Sequence, residues 1–204
     1  MSKSFIYKSS FVYELAMLLL YGRHYASRYR AIAELIPEGS SVLDLCCGPA
    51  LLYHRYLRPK SVKYTGLDIN ANFITRLIRR GGGGQVWDLR NDEPLPAADY
   101  VIMQASLYHF LPEASPIVNR MLKAARKQVI IAEPIRNLTT SNSGLLSLLG
   151  RMFTNPGSGE QSLRFNETSL ADFFSAYRSR VVQSFPIAGD RERVYVLSAS
   201  PANL

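Results

Sequence analysis

Val42-Leu43-Asp44-Leu45 runs into Cys46-Cys47-Gly48-Pro49-Ala50, and Leu67-Asp68 follows, with the acid twenty positions after Gly48. An apolar run ending in an acid and a turn of small residues reads as a buried strand entering a backbone cradle. The second acid stands at the spacing where an α/β nucleoside-binding unit offers a carboxylate to a ribose. A carboxylate accepts from both hydroxyls of a diol, and a turn of small side chains lets a ligand lie against the main chain. Trp87-Asp88-Leu89 places a third acid after another short strand-like run. Each acid has a plainer reading: Asp44 caps a turn, and Asp68 caps the helix after it. Together, with Gly48, each at an expected strand end, they point to one ligand site.

The sign of the charge narrows the ligand. A nicotinamide-binding turn carries G-x-G-x-x-G directly after the strand, to admit a pyrophosphate. Here an acid ends the strand and one glycine remains in the turn. A carboxylate repels a pyrophosphate and attracts an ammonium or sulfonium.

The elements that must hold these residues follow from periodicity. Residues 11–36 predict a helix, broken near Gly22 and ended by Pro37-Glu38-Gly39. Strands are expected at 41–45, 63–68, 85–88, 100–103 and 129–132, with helices at 51–57, 70–80, 113–126 and 168–177 between or after them. Gly81-Gly82-Gly83-Gly84 follows a helix and lacks the Lys-Ser/Thr of a phosphate loop, so it is expected to be a helix end and flexible turn. Residues 180–185 and 193–199 predict a closing antiparallel hairpin. Residues 135–165, rich in Ser, Asn and Gly, predict a mobile insertion. The alternation predicts an α/β three-layer sandwich: a doubly wound, seven-stranded, mostly parallel sheet ending in an antiparallel hairpin. Residues 1–37 are expected to form a helical cap or lid, and 38–204 the binding domain.

The chain of 204 residues is 47% hydrophobic, enough for one compact domain without staples. Its net charge of +8 is uneven: residues 1–80 hold 12 Lys/Arg against 5 Asp/Glu, and residues 81–204 hold 12 against 11. The basic first third suits a solvated surface, a nucleic acid, an anionic membrane surface or an acidic substrate. Two adjacent cysteines make no disulfide framework and fit a reducing cytoplasm, the expected location. Residues 11–20 are too short to span a bilayer and contain Glu14, so no transmembrane segment is expected, and no A-x-A cleavage site follows. Contact with a membrane surface stays open. His24, His54 and His109 are scattered, and no metal site is expected.

The order of these motifs resembles the class I S-adenosylmethionine-dependent methyltransferases, over residues 40–200. The resemblance implies S-adenosylmethionine as cofactor, S-adenosylhomocysteine as product, and no metal. It implies that Asp44, Cys46 and Gly48 receive the amino-acid end of the cofactor and that Asp68 holds the ribose. Ile69 would pack the adenine, Asp88 would accept from its amino group, and Leu89 would donate its backbone N–H. Asp99-Tyr100-Val101-Ile102-Met103-Gln104 matches the fourth strand, and Leu107-Tyr108-His109-Phe110 resembles the segment after it. Cys46 and Ala50 stand where that family usually has glycine.

His109 and Glu133, the latter ending the fifth strand, are the candidate catalytic groups, with structural roles as their plainer readings. Tyr21, Tyr25 and Tyr108 are candidates for an acceptor pocket, against the plainer reading of a core stripe. The leading expectation is methyl transfer to a small molecule, partly hydrophobic or aromatic. The runner-up makes the acceptor RNA, through the basic first third. The third is a non-catalytic binding or scaffold protein. The sequence leaves the acceptor atom and the oligomeric state undetermined.

Overall fold

The computed structural model describes residues 22–135, 163–187 and 189–200. A single 3-10 turn at Gly22–His24 leads into α1 (Tyr25–Glu34). β1 (Ser41–Leu45) is followed by a tight loop, a π-helical segment at Tyr53–Leu57 and a 3-10 turn at Arg58–Lys60. β2 (Lys63–Asp68), α2 (Ala71–Arg79), β3 (Gly83–Val86) and β4 (Ala98–Gln104) come next. A 3-10 turn at Leu107–Phe110, α3 (Ser115–Ala124) and β5 (Ala125–Pro134) complete the parallel part. α4 (Glu167–Ser175), β6 (Val181–Ile187) and β7 (Glu192–Ser198) close the chain.

The sheet has seven strands in the order β3-β2-β1-β4-β5-β7-β6. β1 to β5 pair in parallel, and β7 runs antiparallel to both β5 and β6. This is the doubly wound architecture expected from the alternation of elements. Because side chains alternate across a strand, each central strand feeds two cores. Val42, Tyr64, Tyr100, Ile102, Ile130 and Val194 pack with α1, the segment after β1 and Leu77 of α2. Leu43, Leu67, Val101, Met103, Val129 and Leu197 pack with α3 and α4 on the other face. Asp44 shares the parity of Val42, so its side chain is delivered to the α1 face. Glu133 shares the parity of Ile131 and goes to the other.

Two expectations are corrected. β5 spans Ala125–Pro134, so the expected 113–126 helix ends at Ala124. Gly81-Gly82-Gly83-Gly84 is only partly a turn, because Gly83 and Gly84 open β3 and pair with Thr65 and Gly66. The physical reason is close packing. A Cβ on Gly82 would stand 2.3 Å from Leu77 Cδ1, and one on Gly83 2.7 Å from the Tyr64 carbonyl oxygen. Gly81, at φ +84°, supplies the left-handed step out of α2.

Candidate functional site

Strand order reverses between β1 and β4, and the crevice beyond the carboxyl ends of strands at such a point is where α/β sheets bind ligands. The loop leaving β1 enters this crevice with Cys46, Gly48 and Ala50 at φ +56°, +53° and +53°. Every second residue is thus left-handed, a conformation that only glycine adopts without strain. Two of the three places are nevertheless held by side-chain residues. The neighbouring Cys47 has its space reserved by Gly66 of β2, where a Cβ would stand 2.7 Å from the Cys47 Sγ. Burial first, then Asp68 and Asp44, push the pKa of the Cys46 thiol well above its ordinary range, which disfavours the thiolate.

Asp68 ends β2 facing this loop. Its Oδ2 accepts from the Gly48 N–H at 2.8 Å and its Oδ1 from the Asn70 N–H at 2.8 Å. Each oxygen keeps a further lone pair for a ligand hydroxyl. Burial raises its pKa against the lowering of those two bonds. The helix cap is Asn70, whose side chain accepts from the Asn72 N–H, so Asp68 is left for the loop. Ile69 beside it is 62% exposed, an apolar surface open to a flat ring.

Asp44 lies deeper and is 3% exposed. The Tyr64 hydroxyl donates to its Oδ2 at 2.6 Å. Burial pushes its pKa up to about 7, the Tyr64 bond pulls it down, and Asp68 adds to the rise. The cleft in front of it is walled by Cys46, Cys47, Gly48, Gln104 and Ser106, and by Arg28 and Tyr29 of α1. Arg28 is held by Glu192 of β7, with Nη2–Oε1 at 2.8 Å and Nε–Oε2 at 3.3 Å, both side chains buried.

Asp88 stands after β3, partly buried, and its Oδ1 accepts from the Arg90 N–H at 2.9 Å. The Trp87 N–H donates to the Asp68 carbonyl at 3.0 Å, which keeps the Asp88 segment alongside the end of β2. The Leu89 side chain is buried, and its carbonyl takes a bond from Arg120 at 2.7 Å.

The groups proposed for acceptor and catalysis divide. Tyr25 is 4% exposed and packs edge-on against Tyr29 at 5.5 Å, so of this pair Tyr29 lines the cleft. Tyr21, most of the 1–37 cap and nearly all of the 135–165 insertion lie outside the described residues. Glu133 is fully buried beneath the loop after β4. Its Oε1 accepts from the Ser106 and Leu107 N–H groups at 2.7 and 2.6 Å. Burial raises its pKa to about 7. Tyr108 is buried, with His109 against it at 4.0 Å and the Arg164 guanidinium 3.5 Å above its ring. Burial, followed by Arg164 and Arg90, lowers His109 to about 4. Sequence reasoning missed Ser106 and Arg164. The positive φ of Ala105, +48°, has no signature in its residue type, and the approach of Arg164 to Tyr108 spans 56 positions.

The profile of the family described as "Methionine biosynthesis protein MetW" matches residues 26–152, more than half of the chain. No curated protein sequence matches. Among solved structures, the magnesium protoporphyrin IX methyltransferase ChlM of Synechocystis with bound S-adenosylhomocysteine is similar at TM-score 0.64. It is 15% identical, with 95% of this chain and 96% of that one covered. A TehB-like S-adenosylmethionine-dependent methyltransferase of Corynebacterium glutamicum gives TM-score 0.61 at 16% identity, covering 92% and 95%. A putative methyltransferase of Haloferax volcanii, in complex with a methyltransferase activator, gives 0.66 at 13% identity, covering 94% and 97%. At such identities the likeness is one of fold.

Proposed function

The chain belongs to the MetW family and has the class I methyltransferase fold, and from that premise we propose that it binds S-adenosylmethionine and transfers its methyl group to a small-molecule acceptor. One observation carries the reading: the Asp68 carboxylate is tied to the Gly48 N–H of a left-handed loop, and that loop lines the cleft together with the buried Asp44. The residues suit the group by charge and by hydrogen-bonding capacity. Asp68 has spare lone pairs for the ribose diol, Ile69 an open apolar face for adenine, and Asp88 an acceptor beside it. Asp44 would offer negative charge to the cofactor's ammonium, and Arg28, paired with Glu192, would wall the cleft beside it.

S-adenosylmethionine supplies a methyl already activated by its sulfonium, so the chain needs no Lewis acid for the displacement. Its residues contribute alignment and exclusion of water. Glu133 acts as a positioning residue by fixing the Ser106–Leu107 main chain at the edge of the cleft. His109 is uncharged at neutral pH and accepts a proton only when the acceptor atom starts protonated. The proposal keeps residues 1–37 as a cap, with α1 as the part that walls the cleft.

Isothermal calorimetry with S-adenosylmethionine and S-adenosylhomocysteine tests the reading. D68N leaves one amide oxygen where two carboxylate oxygens stood, so affinity is expected to fall at least about tenfold, or about 1.4 kcal/mol. No heat with either compound at millimolar concentration removes the proposal.

A further inference from the structure

Arg164 stands apart from the cleft described above. It precedes α4 by one turn, anchored by the buried Phe165 packed against Phe173 at 5.6 Å. Its guanidinium carbon lies over the Tyr108 ring, 3.5 Å from the centroid, where cation and ring face attract. Tyr108 belongs to the 3-10 turn after β4, so Arg164 is held over the carboxyl ends of the central strands. Its Nη2 is buried and has no acceptor among the described residues. Neither described ion pair includes it. The same turn presents the His109 ring, which feels both Arg164 and Arg90 and no described carboxylate. Among the described residues, two arginines are thus brought near the His109 ring beside Tyr108.

A guanidinium held over a ring, with one donor buried and unanswered among the described residues, suits a planar oxyanion, since its fork matches two oxygens at once. The partly exposed His109, its ring 4.0 Å from that of Tyr108, is a second hydrogen-bonding group close to Arg164, and the exposed Arg90 adds positive charge. We propose that Arg164, His109 and Arg90 form an oxyanion-binding subsite over Tyr108, which selects an acceptor bearing a carboxylate or phosphate group. Its role as an acceptor subsite rests on the methyltransferase reading. Anion binding by itself does not.

The test uses the full chain at constant ionic strength and pH 7. Benzoate and inorganic phosphate are titrated separately while the His109 ring resonances are followed by NMR, assigned from their loss in H109Q. Saturable shifts are expected with at least one anion. R164Q should weaken that binding about tenfold or more, and R164K, which keeps the charge and loses the fork, should lie between. S-adenosylhomocysteine binding by R164Q should stay within about twofold of wild type, which shows that the variant is folded. Tighter benzoate assigns a carboxylate acceptor, and tighter phosphate a phosphorylated one. Shifts that never saturate, or that are unchanged in R164Q, overturn the subsite. If wild type binds benzoate or phosphate but not S-adenosylhomocysteine, the subsite stands and the methyltransferase reading falls.

Discussion

Cys46 and Ala50 show what single residues contribute to this loop. Both hold left-handed backbone that glycine would adopt freely, and each such residue stores about 1 kcal/mol or more. C46G is therefore expected to raise stability by about 1 kcal/mol in urea unfolding. A loss would mean that packing of the thiol outweighs the strain. Asp44 predicts a pH dependence. Its folded pKa of about 7 lies above the ordinary 3.8, chiefly through burial. The native state thus holds its proton more tightly than the unfolded chain, so this group favours folding below about pH 4 and loses that contribution as pH rises toward 7. A cationic ligand reverses the preference by favouring the carboxylate. Affinity for S-adenosylmethionine should rise up to about tenfold between about pH 6 and pH 8. D44N should flatten that profile, whereas E133Q, which changes a group titrating in the same range, should not.

At the scale of elements, α1 is joined to the antiparallel edge of the sheet by a buried charge. Tyr25, Tyr29, Ile32 and Ile36 place its apolar face in the core, and Arg28 reaches Glu192 at the start of β7. That contact fixes one wall of the cleft, because Arg28 and Tyr29 both line it. Breaking a buried pair leaves an uncompensated charge, so R28M is expected to destabilise by about 3–5 kcal/mol. The double variant R28M/E192M should recover most of that loss in thermal unfolding, while the cofactor affinity of both variants falls. Equal affinity in wild type and double variant would separate the wall from the binding site.

For the whole molecule, binding and folding are linked. Asp44 with its loop, Asp68 and α1 come from three separated parts of the chain, and their arrangement exists only in the folded state. S-adenosylhomocysteine at about a hundred times its Kd should stabilise by about 2.7 kcal/mol, a rise of roughly 5–10 °C in Tm for a chain of this size. An unchanged Tm at millimolar ligand would argue against the site. Among the described residues, no helix is long and apolar enough to cross a membrane.

What the sequence determined by itself was local and periodic. β1 and β2 were legible to the residue, because Ser41–Leu45 lies between Gly39 and the small-residue turn, and Lys63–Asp68, with Tyr64, Thr65 and Leu67, lies between Pro59 and the Asn70 helix start. The architecture followed from the order of such runs, and the spacing of Asp68 from Gly48 marked the acid as one for a ribose, whereas the hydrogen bond between the two is a finding of the tertiary structure. The ends of β3 and β5 were less legible, since Gly83 and Gly84 carry no strand propensity and are kept by the close approach of Leu77 and Tyr64. Tertiary structure alone decided that Arg28 meets Glu192 across 164 positions, that Glu133 sits beneath the Ser106 loop, and that Arg164 covers Tyr108. A residue's type announces its charge and size, but its partner and its burial depend on which distant strand parity and helix face are brought against it. Those long-range placements set the titration of Asp44, Glu133 and His109, and with it what each group can do.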